Sequence, residues 1–371
     1  MTVFLRRAAA MAHKETLHIS RDAWTLYVGL VLPLVLLVLL GFGVSFDLDH
    51  MPLQVVDLDH SPESRALIED FTAAGEFVLA GSLASGDEAA QAFAAKQSVA
   101  VLTIPEGYAR ALARSEVATV GLLLDGSDGQ SAQQAVTRAD ALARIASLRS
   151  TGRAVVPPLA AATWTRFNPA GRSALFLVPG ISAYVLALVA VLLTALSVAR
   201  EWERGSMEQL FCTPVRRGEI IVGKLVPYLC MGIVQVLLVL AAGAWVFGVP
   251  ARGDLFTLGL ASLLFMLGML GQGVLISIIT RNQMVATQAS TMTSMLPSML
   301  LSGFIFPVDN MPLLLQGISH LVPARYYIDI LRGVLLKGNG LSESLFELAM
   351  LVAFASLMMG LSLARFRRKL A

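Results

Sequence analysis

Long apolar runs alternate with short charged segments along most of this 371-residue chain. Six of these runs reach the roughly 20 residues that an α-helix needs to cross a bilayer. Prolines and glycines recur within them, and membrane helices tolerate both residues better than soluble helices do. The pattern predicts a polytopic α-helical membrane protein with six transmembrane helices, at residues 24–46, 173–199, 219–248, 255–280, 284–306 and 344–364.

The segment between the first two runs has a different character. Across residues 47–172, strand-like runs such as PLQVVDLD alternate with helical stretches such as SPESRALIEDFTAAG. Alternating strands and helices are typical of an α/β domain, and about 120 residues are enough to form a core. We therefore expect an inserted α/β domain between the first and second transmembrane helices.

Lysine and arginine are concentrated in alternate loops, and such loops usually lie on the cytoplasmic side of a membrane. Basic residues crowd segment 1–23, loop 200–218 and tail 365–371, whereas acidic residues outnumber basic ones in 47–172. This bias predicts that both termini and loop 200–218 are cytoplasmic. It also predicts that the inserted domain is extracytoplasmic.

The segment 307–343 is too broken by polar residues to cross a membrane. Two short amphipathic pieces, at 311–321 and 324–336, are divided by Pro323. We expect a helical hairpin at the outer surface, close to the membrane edge.

The composition of the chain supports a membrane protein rather than a soluble domain. Hydrophobic residues make up 56% of the chain and charged residues 15%, against about 45–50% and about 25% in soluble domains. The two cysteines, Cys212 and Cys230, lack a plausible partner in an oxidising compartment, so no disulfide is expected. No Asp or Glu lies in the middle of a predicted span, which argues against a proton-coupled pump.

Several polar side chains lie within the predicted spans, where burial in lipid is costly. Two explanations remain open for them. Hydrogen bonds between helices would satisfy these groups, or some of them would line a substrate path. The candidates for such a path are Gln235, Gln272, Gln288, Thr291 and Ser294.

The segment GEIIVGKL, residues 218–225, resembles a phosphate-binding loop but lacks its last element. The motif needs Ser or Thr where this chain has Leu225, and it should follow a strand rather than enter a span. We therefore expect no nucleotide site here, and we interpret Lys224 as a residue that extends towards the lipid headgroups. No zinc-ligand spacing or catalytic motif is found either. The chain is predicted to be no enzyme and to bind no cofactor itself.

A dense block of mixed charge, REWERGSMEQLFCTPVRRGE, occupies residues 200–219. On a helix, Met207, Leu210 and Phe211 would share one face, and Glu201, Arg204 and Glu208 another. Pro214 would end that helix. Mixed charge favours a protein partner over anionic lipid, although a solvated loop remains the alternative. We predict a short cytoplasmic helix at 201–213.

Two segments, AREWERGSMEQL and TPVRRGEIIVGKLVPY, resemble the cytoplasmic block of ABC type-two exporter permeases. The resemblance is to the subgroup with a large extracytoplasmic domain after the first span. Further matching blocks follow in the same order along the chain: HKETLHISRD, FNPAGRSALFLVPG, ISIITRNQMVATQ, LPSMLLSGFIFPVDNMP and LVPARYYIDILRG.

The resemblance implies the permease subunit of an ATP-driven exporter of drugs or other amphipathic molecules in a bacterial inner membrane. Two separate ATP-binding subunits, which hold ATP and magnesium, would dock on the block after the second span. A second permease chain, identical or similar, would complete the path. A periplasmic adaptor and membrane lipid are further candidate partners, and no nucleic acid is expected. The implied contact residues for the ATP-binding subunit are Glu201, Trp202, Glu203, Arg204, Gly205, Met207 and Glu208.

A second function from a different class is a membrane-anchored sensor or scaffold. In that case the inserted domain would bind a ligand or a periplasmic adaptor, and the spans would serve as its anchor. Six spans with polar interiors and a cytoplasmic docking helix exceed what an anchor needs, so the exporter subunit is the preferred hypothesis.

Overall fold

The computed structural model describes most of the chain. The described residues are 2–43, 51–124 except 74, 76, 96 and 115, 135–143 except 137, 172–207, 213, and 215–366 except 307. The chain divides into two compact units. Met1–Val44 and Arg166–Ala371 form the helical unit, and Ser45–Thr165 forms the sheet unit.

Nine helices are described in the helical unit and are numbered here in chain order. The first five are α1 Thr2–Arg21, α2 Ala23–Gly43, α3 Ser173–Glu203, α4 Arg217–Phe247 and α5 Leu255–Thr280. The others are α6 at 283–300, α7 Leu313–Ser319, α8 Pro323–Arg332 and α9 Leu345–Arg365. Five described helices are long and apolar enough to cross a membrane: α2, α3, α4, α5 and Ser342–Arg365, which contains α9.

The segment predicted as a fifth span, 284–306, forms a shorter helix than expected. Helix α6 contains a wide π-turn at Thr291–Met295 and ends at Leu300. Pro297 lies just after this turn and has no N–H to offer the carbonyl four residues earlier, at Thr293. The Nε2 of Gln272 on α5 donates to that carbonyl instead, at 3.4 Å. The neighbouring helix thus satisfies a backbone group that proline leaves free.

Helix α3 lies at the centre of the helical unit and is buried along most of its length. It packs against α2, α4, α5, α6 and α8. Its approach to α5 is close enough that a Cβ at Gly273 would lie 1.9 Å from Thr194 Oγ1 and 2.5 Å from the Val191 carbonyl oxygen. Small residues allow membrane helices to approach in this way, so the α3–α5 contact requires glycine at position 273.

The two halves of the predicted outer hairpin differ in burial, and its place at the outer surface stays a prediction. Helix α7 exposes large apolar side chains, as a surface element would, but α8 is mostly buried. The Tyr327 ring stacks on Phe265 of α5 at 4.2 Å, and the Tyr327 hydroxyl lies 2.9 Å from Ser262 Oγ. The guanidinium of Arg332 lies over the Phe176 ring at 3.8 Å. Aromatic residues on α8 therefore pack into the bundle, because their apolar area is too large to leave in water.

The sheet unit contains four strands: β1 Met51–Asp57, β2 Phe77–Ser82, β3 Ala100–Ile104 and β4 Gly121–Leu124. The strand order is β2-β1-β3-β4, with β1 parallel to β2 and β3, and β4 antiparallel to β3. Helices Pro62–Ala73, Ala89–Ala94 and Tyr108–Ala113 connect them. Residues 135, 136 and 138–143 of this unit are also helical.

The core of the sheet unit forms where buried side chains of β1 and β3 meet two of the helices. Leu53, Leu102 and Ile104 from the strands pack with Phe71 and Phe77, whose rings lie 5.9 Å apart. Parallel strands covered on their faces bury near-continuous apolar runs. These contacts give the unit a core of its own, separate from the helical unit.

One carboxylate fixes the start of the helix Tyr108–Ala113 in this unit. Asp59 accepts hydrogen bonds from the backbone N–H groups of Gly107, at 2.8 Å, and Ala109, at 3.0 Å. Gly107 adopts a φ of +84°, which favours glycine. Hydrogen bonds from Ser61 and from the Ala109 amide hold the pKa of Asp59 below its usual value of 3.8. The ionised form is therefore the one that caps the helix.

We expect Asp59→Ala to speed hydrogen exchange at the amides of residues 107–113 in the full-length protein, because two N–H groups lose their acceptor. The same amides should exchange faster in the unaltered protein at acid pH, after correction for the intrinsic rate. A carboxyl whose folded pKa is lowered stabilises the fold above its unfolded pKa, and this contribution is lost as the pH falls through the folded pKa. Exchange measured by mass spectrometry tests both effects.

The matched control is Glu63→Ala, which removes an exposed carboxylate from the same unit. It should leave the 107–113 amides unchanged. Equal effects of the two substitutions would contradict the capping role of Asp59.

Candidate functional site

Helix α1 lies against the first turns of α4, and one glycine permits this contact. A Cβ at Gly223 would lie 2.5 Å from Met11 Cβ and 2.9 Å from the Ala8 carbonyl oxygen. Because neither atom could move without shifting the α1 backbone, position 223 requires glycine. The close approach brings Glu15 of α1 next to Lys224, the residue after this glycine.

Lys224 joins three helices through buried ion pairs. Its Nζ lies 2.8 Å from Glu201 Oε2 on α3 and 3.4 Å from Glu15 Oε2 on α1. The side chains of Glu15 and Lys224 are each 4% exposed, and that of Glu201 is 15% exposed. Lys14 Nζ adds a second cation, 3.2 Å from Glu201 Oε1. We call Lys14, Glu15, Glu201 and Lys224 the charge cluster.

The interpretation of Lys224 as a residue reaching towards headgroups is therefore wrong. Its ammonium points into the protein because the carboxylates of Glu15 and Glu201 lie there. A buried charge is tolerated when it is paired. Glu15 is satisfied on its other side as well. Ser197 Oγ donates to its Oε1 at 2.8 Å, and the Tyr228 hydroxyl donates to the same oxygen at 3.5 Å.

The last turn of α3 is also fixed to the turn between α5 and α6. Glu203 Oε1 accepts from the backbone N–H of Gln283 at 2.7 Å, and its Oε2 accepts from the Gln283 side chain. The Arg281 guanidinium lies over the Trp202 ring at 4.3 Å, a cation–π contact. Asp22, just before α2, accepts from Arg200 at 3.1 Å. Hydrogen bonds from Thr25 and then Arg200 lower the pKa of Asp22, which keeps it ionised.

The predicted separate helix at 201–213 differs from the structure. Glu201, Trp202 and Glu203 are the last turn of α3, which continues without a break from residue 173. Nothing between Ala199 and Glu203 stops a helix, whereas Gly205, with a φ of +68°, does. Arg204 is exposed in this turn and Met207 is fully buried. Glu208, Leu210 and Phe211 lie outside the described residues.

The seven predicted contact residues thus divide by orientation. Glu201 faces inward, where it holds the charge cluster, and Trp202 and Glu203 hold the α5–α6 turn. Among the described members of this set, Arg204 is the charged residue that is exposed and has no partner among the described residues. The assignment of these residues as an ATP-binding-subunit contact stays a prediction.

The predicted path residues do not share one environment. Gln272 Nε2 donates to Thr293 Oγ1 at 3.2 Å as well as to the Thr293 carbonyl, so it bridges α5 and α6. Gln235 of α4 is buried, and Gln288 is exposed on α6. Thr291 Oγ1 donates within its own helix to the Thr287 carbonyl at 2.9 Å. Ser294 is buried, and its hydroxyl has no partner among the described residues. Gln272 thus takes part in hydrogen bonding between helices, and the path role of all five residues stays a prediction.

Sequence reasoning missed Glu15, Asp22 and Arg281 as members of this region. A lysine inside an apolar run signals a missing carboxylate, so Lys224 could have prompted a search for one. The pattern of α1 offered no means to choose Glu15, because its neighbours are equally polar. Among the described residues, no three His, Cys, Asp or Glu side chains come together as metal ligands would.

A family model described as "ABC-2 family transporter protein" matches residues 23–364. The chain belongs to the ABC-2 transporter family. The "Probable multidrug ABC transporter permease YbhS" of Escherichia coli K12 is 33% identical over 98% of each chain. The "Probable multidrug ABC transporter permease YbhR" of the same organism is 29% identical, over 98% of this chain and 99% of its own. The E. coli "Inner membrane transport permease YhhJ" is 25% identical over 86% of each.

Family membership and five apolar helices of spanning length make this chain a multi-pass membrane protein. The matches to YbhS and YbhR extend over 98% of this ABC-2 chain, and so over residues of both the helical unit and the sheet unit. The charge cluster then lies at the end of the bundle where α1 meets the spans.

Removing the ammonium of Lys224 should destabilise this ABC-2 chain strongly. Lys224→Met takes the cation away from buried Glu15 and leaves Glu201 with Lys14 alone, and breaking a buried pair costs about 3–5 kcal/mol. Lys14→Met removes the same charge from a side chain that is 53% exposed, where an ion pair contributes about 1 kcal/mol or less. Thermal unfolding of the full-length protein in detergent should separate the two variants clearly. Equal midpoints would show that the cluster is not a stabilising centre.

Proposed function

We propose that this chain is the permease subunit of an ATP-driven exporter in a bacterial cytoplasmic membrane. Two ATP-binding subunits would supply the energy, since the near-miss at residues 218–225 continues directly into α4 and offers no phosphate-binding loop. A second permease chain, identical or similar, would complete the path. The relatives named as multidrug permeases support drugs or other amphipathic molecules as substrates.

In this proposal the end of the bundle with the charge cluster faces the cytoplasm, as the distribution of lysine and arginine favours. Helix α6 is the sixth membrane helix, in addition to the five of spanning length. The sheet unit is the extracytoplasmic domain, and a periplasmic adaptor is its candidate partner. Both termini are then cytoplasmic.

The observation that carries the proposal is how firmly the last turn of α3 is fixed. Glu201 binds α1 and α4 through Lys14 and Lys224, while Glu203 and Trp202 bind the α5–α6 turn. A push on this turn would therefore act on α1, α4, α5 and α6 together, through ion pairs and hydrogen bonds rather than through a loose loop. Coupling between sites needs such a contiguous physical connection.

The docking surface would then centre on the residues after the last turn, with Arg204 as its exposed charge. Five residues would support that surface without touching the ATP-binding subunit: Glu201, Trp202, Glu203, Gly205 and Met207. Glu208 would be part of the surface itself. This division of roles distinguishes residues that touch the ATP-binding subunit from residues that transmit its motion.

Reversing the charge of Arg204 should weaken docking. In Arg204→Glu the exposed cation of this surface becomes an anion, so any partner group that pairs with Arg204 would face a like charge, and juxtaposed like charges cost several kcal/mol. We expect the ATP-binding subunit that co-purifies with the full-length chain to fall by at least about tenfold. Substrate-stimulated ATP hydrolysis should fall with it, while the unfolding temperature of the permease stays unchanged.

Arg6→Glu is the matched control, because Arg6 is an exposed arginine of α1 in the same unit. It should leave both the co-purified subunit and its ATP hydrolysis unchanged. Full retention of docking and stimulation by the Arg204→Glu chain would count against this surface as the coupling contact.

The sensor or scaffold remains the second candidate, because the sheet unit has a core of its own. A variant that lacks residues 50–165, with a short Gly-Ser linker in their place, separates the two functions. We expect the ATP-binding subunit to remain bound to it, since the charge cluster and α3 lie wholly in the helical unit. Loss of that binding from a variant that still inserts and unfolds cooperatively would favour the scaffold.

A further inference from the structure

A groove of about 520 Å³ lies between α1 and the end of α3. Its polar lining holds four permanent cations and one carboxylate: Lys14, Arg21, Arg200, Arg204 and Asp22. His18 and Leu17 complete it. So many cations around one open groove suit an anionic ligand.

Two of these cations are already used within the protein. Arg200 is paired with Asp22, and Lys14 with Glu201 of the charge cluster. Arg21 and Arg204 are exposed, and neither has a partner among the described residues. Two arginines therefore remain for a ligand, and a guanidinium fits the oxygens of a phosphate particularly well.

The groove borders an apolar slot of about 310 Å³, since His18 and Arg200 line both cavities. The slot runs between α2 and α3. Its apolar lining includes Trp24, Tyr27, Val28, Leu32, Leu193 and Leu196. An ionic groove beside an apolar slot fits a molecule with a charged head and a hydrocarbon chain.

The position of the slot relative to the membrane follows from its aromatic residues. Trp24 and Tyr27 are stacked, with ring centroids 5.9 Å apart, and both are largely exposed. They lie in the first turns of α2, which is a membrane helix. Exposed Trp and Tyr collect at the level of the lipid headgroups. The end of the slot that these rings line thus lies at headgroup level, beside the groove, and the part of the slot lined by Leu32 and Leu193 lies in the hydrocarbon.

We propose that this composite cavity binds an anionic phospholipid of the leaflet at this end of the bundle. Its phosphate lies in the groove against Arg21 and Arg204, and one acyl chain lies in the slot between α2 and α3. A free phosphate would leave the slot unused, and a lipid without net charge would bring a cation of its own into a groove that already holds Arg21 and Arg204. The bilayer supplies the proposed ligand at high local concentration.

The bound lipid would connect α1 to α3 beside the charge cluster, because Lys14 lines the groove and also pairs with Glu201. Arg204 borders the proposed docking surface as well. Arg21 does not border that surface. A substitution of Arg21 therefore tests lipid binding separately from docking of the ATP-binding subunit.

Native mass spectrometry of the full-length protein tests the site, with phosphatidylglycerol and phosphatidylethanolamine of equal chain length as probes. We expect one phosphatidylglycerol per chain to bind in clear preference to phosphatidylethanolamine. Arg21→Gln should weaken that binding about fivefold, the contribution of one basic residue at an anionic surface. Arg6→Gln, which removes an equally exposed arginine from the same helix outside the groove, should have almost no effect.

Three results would overturn the proposal. Equal losses in Arg21→Gln and Arg6→Gln would mean that only the general positive charge of α1 attracts lipid. Equal binding of the two lipids by the unaltered protein would remove the anionic headgroup from the argument. Displacement of phosphatidylglycerol by inorganic phosphate alone would identify a free anion, rather than a lipid, as the ligand.

Discussion

A buried ammonium at Lys224 sets the arrangement of one whole end of this molecule. An isolated charge cannot remain in a low-dielectric interior, so the start of α4 must meet carboxylates from other helices. Glu15 supplies one from α1 and Glu201 supplies the other from α3. Gly223 allows the approach of α1, and Ser197 and Tyr228 satisfy the remaining positions around Glu15. Each of these buried charges would lower the stability of the fold if its partners were absent.

The same requirement, that every polar group be satisfied, operates within the membrane-spanning helices. Pro297 removes a backbone donor from α6, and Gln272 of α5 supplies one to the carbonyl that is left. A glutamine that could have been part of a substrate path is thus explained by the backbone of its neighbour. Tyr327 meets the same requirement at α8, where its hydroxyl lies beside Ser262 and its ring stacks on Phe265 within the bundle.

Helix α3 connects these regions. It is the most buried of the membrane helices, it packs on both α5 and α8, and its last turn carries Glu201, Trp202 and Glu203. A signal received at that turn would reach the rest of the bundle through side chains that are already in contact. The adjacent groove holds two arginines, Arg21 and Arg204, that have no partner among the described residues, so the proposed protein and lipid contacts would meet at one end of one helix.

The sequence by itself determined the apolar runs, the strand–helix alternation of residues 51–124 and the family. The period of apolar residues, the length of each run and the local motifs all depend on residues that are close together in the chain. It also located the important block at 200–207. Only the tertiary structure decided which way its residues point. Glu15 and Lys224 are 209 residues apart, and periodicity reports the faces of a helix but not the neighbour that each face meets. For that reason the ion pair of Glu201 with Lys224 and the burial of α8 were not predicted, and Lys224 was predicted at the headgroups and is buried.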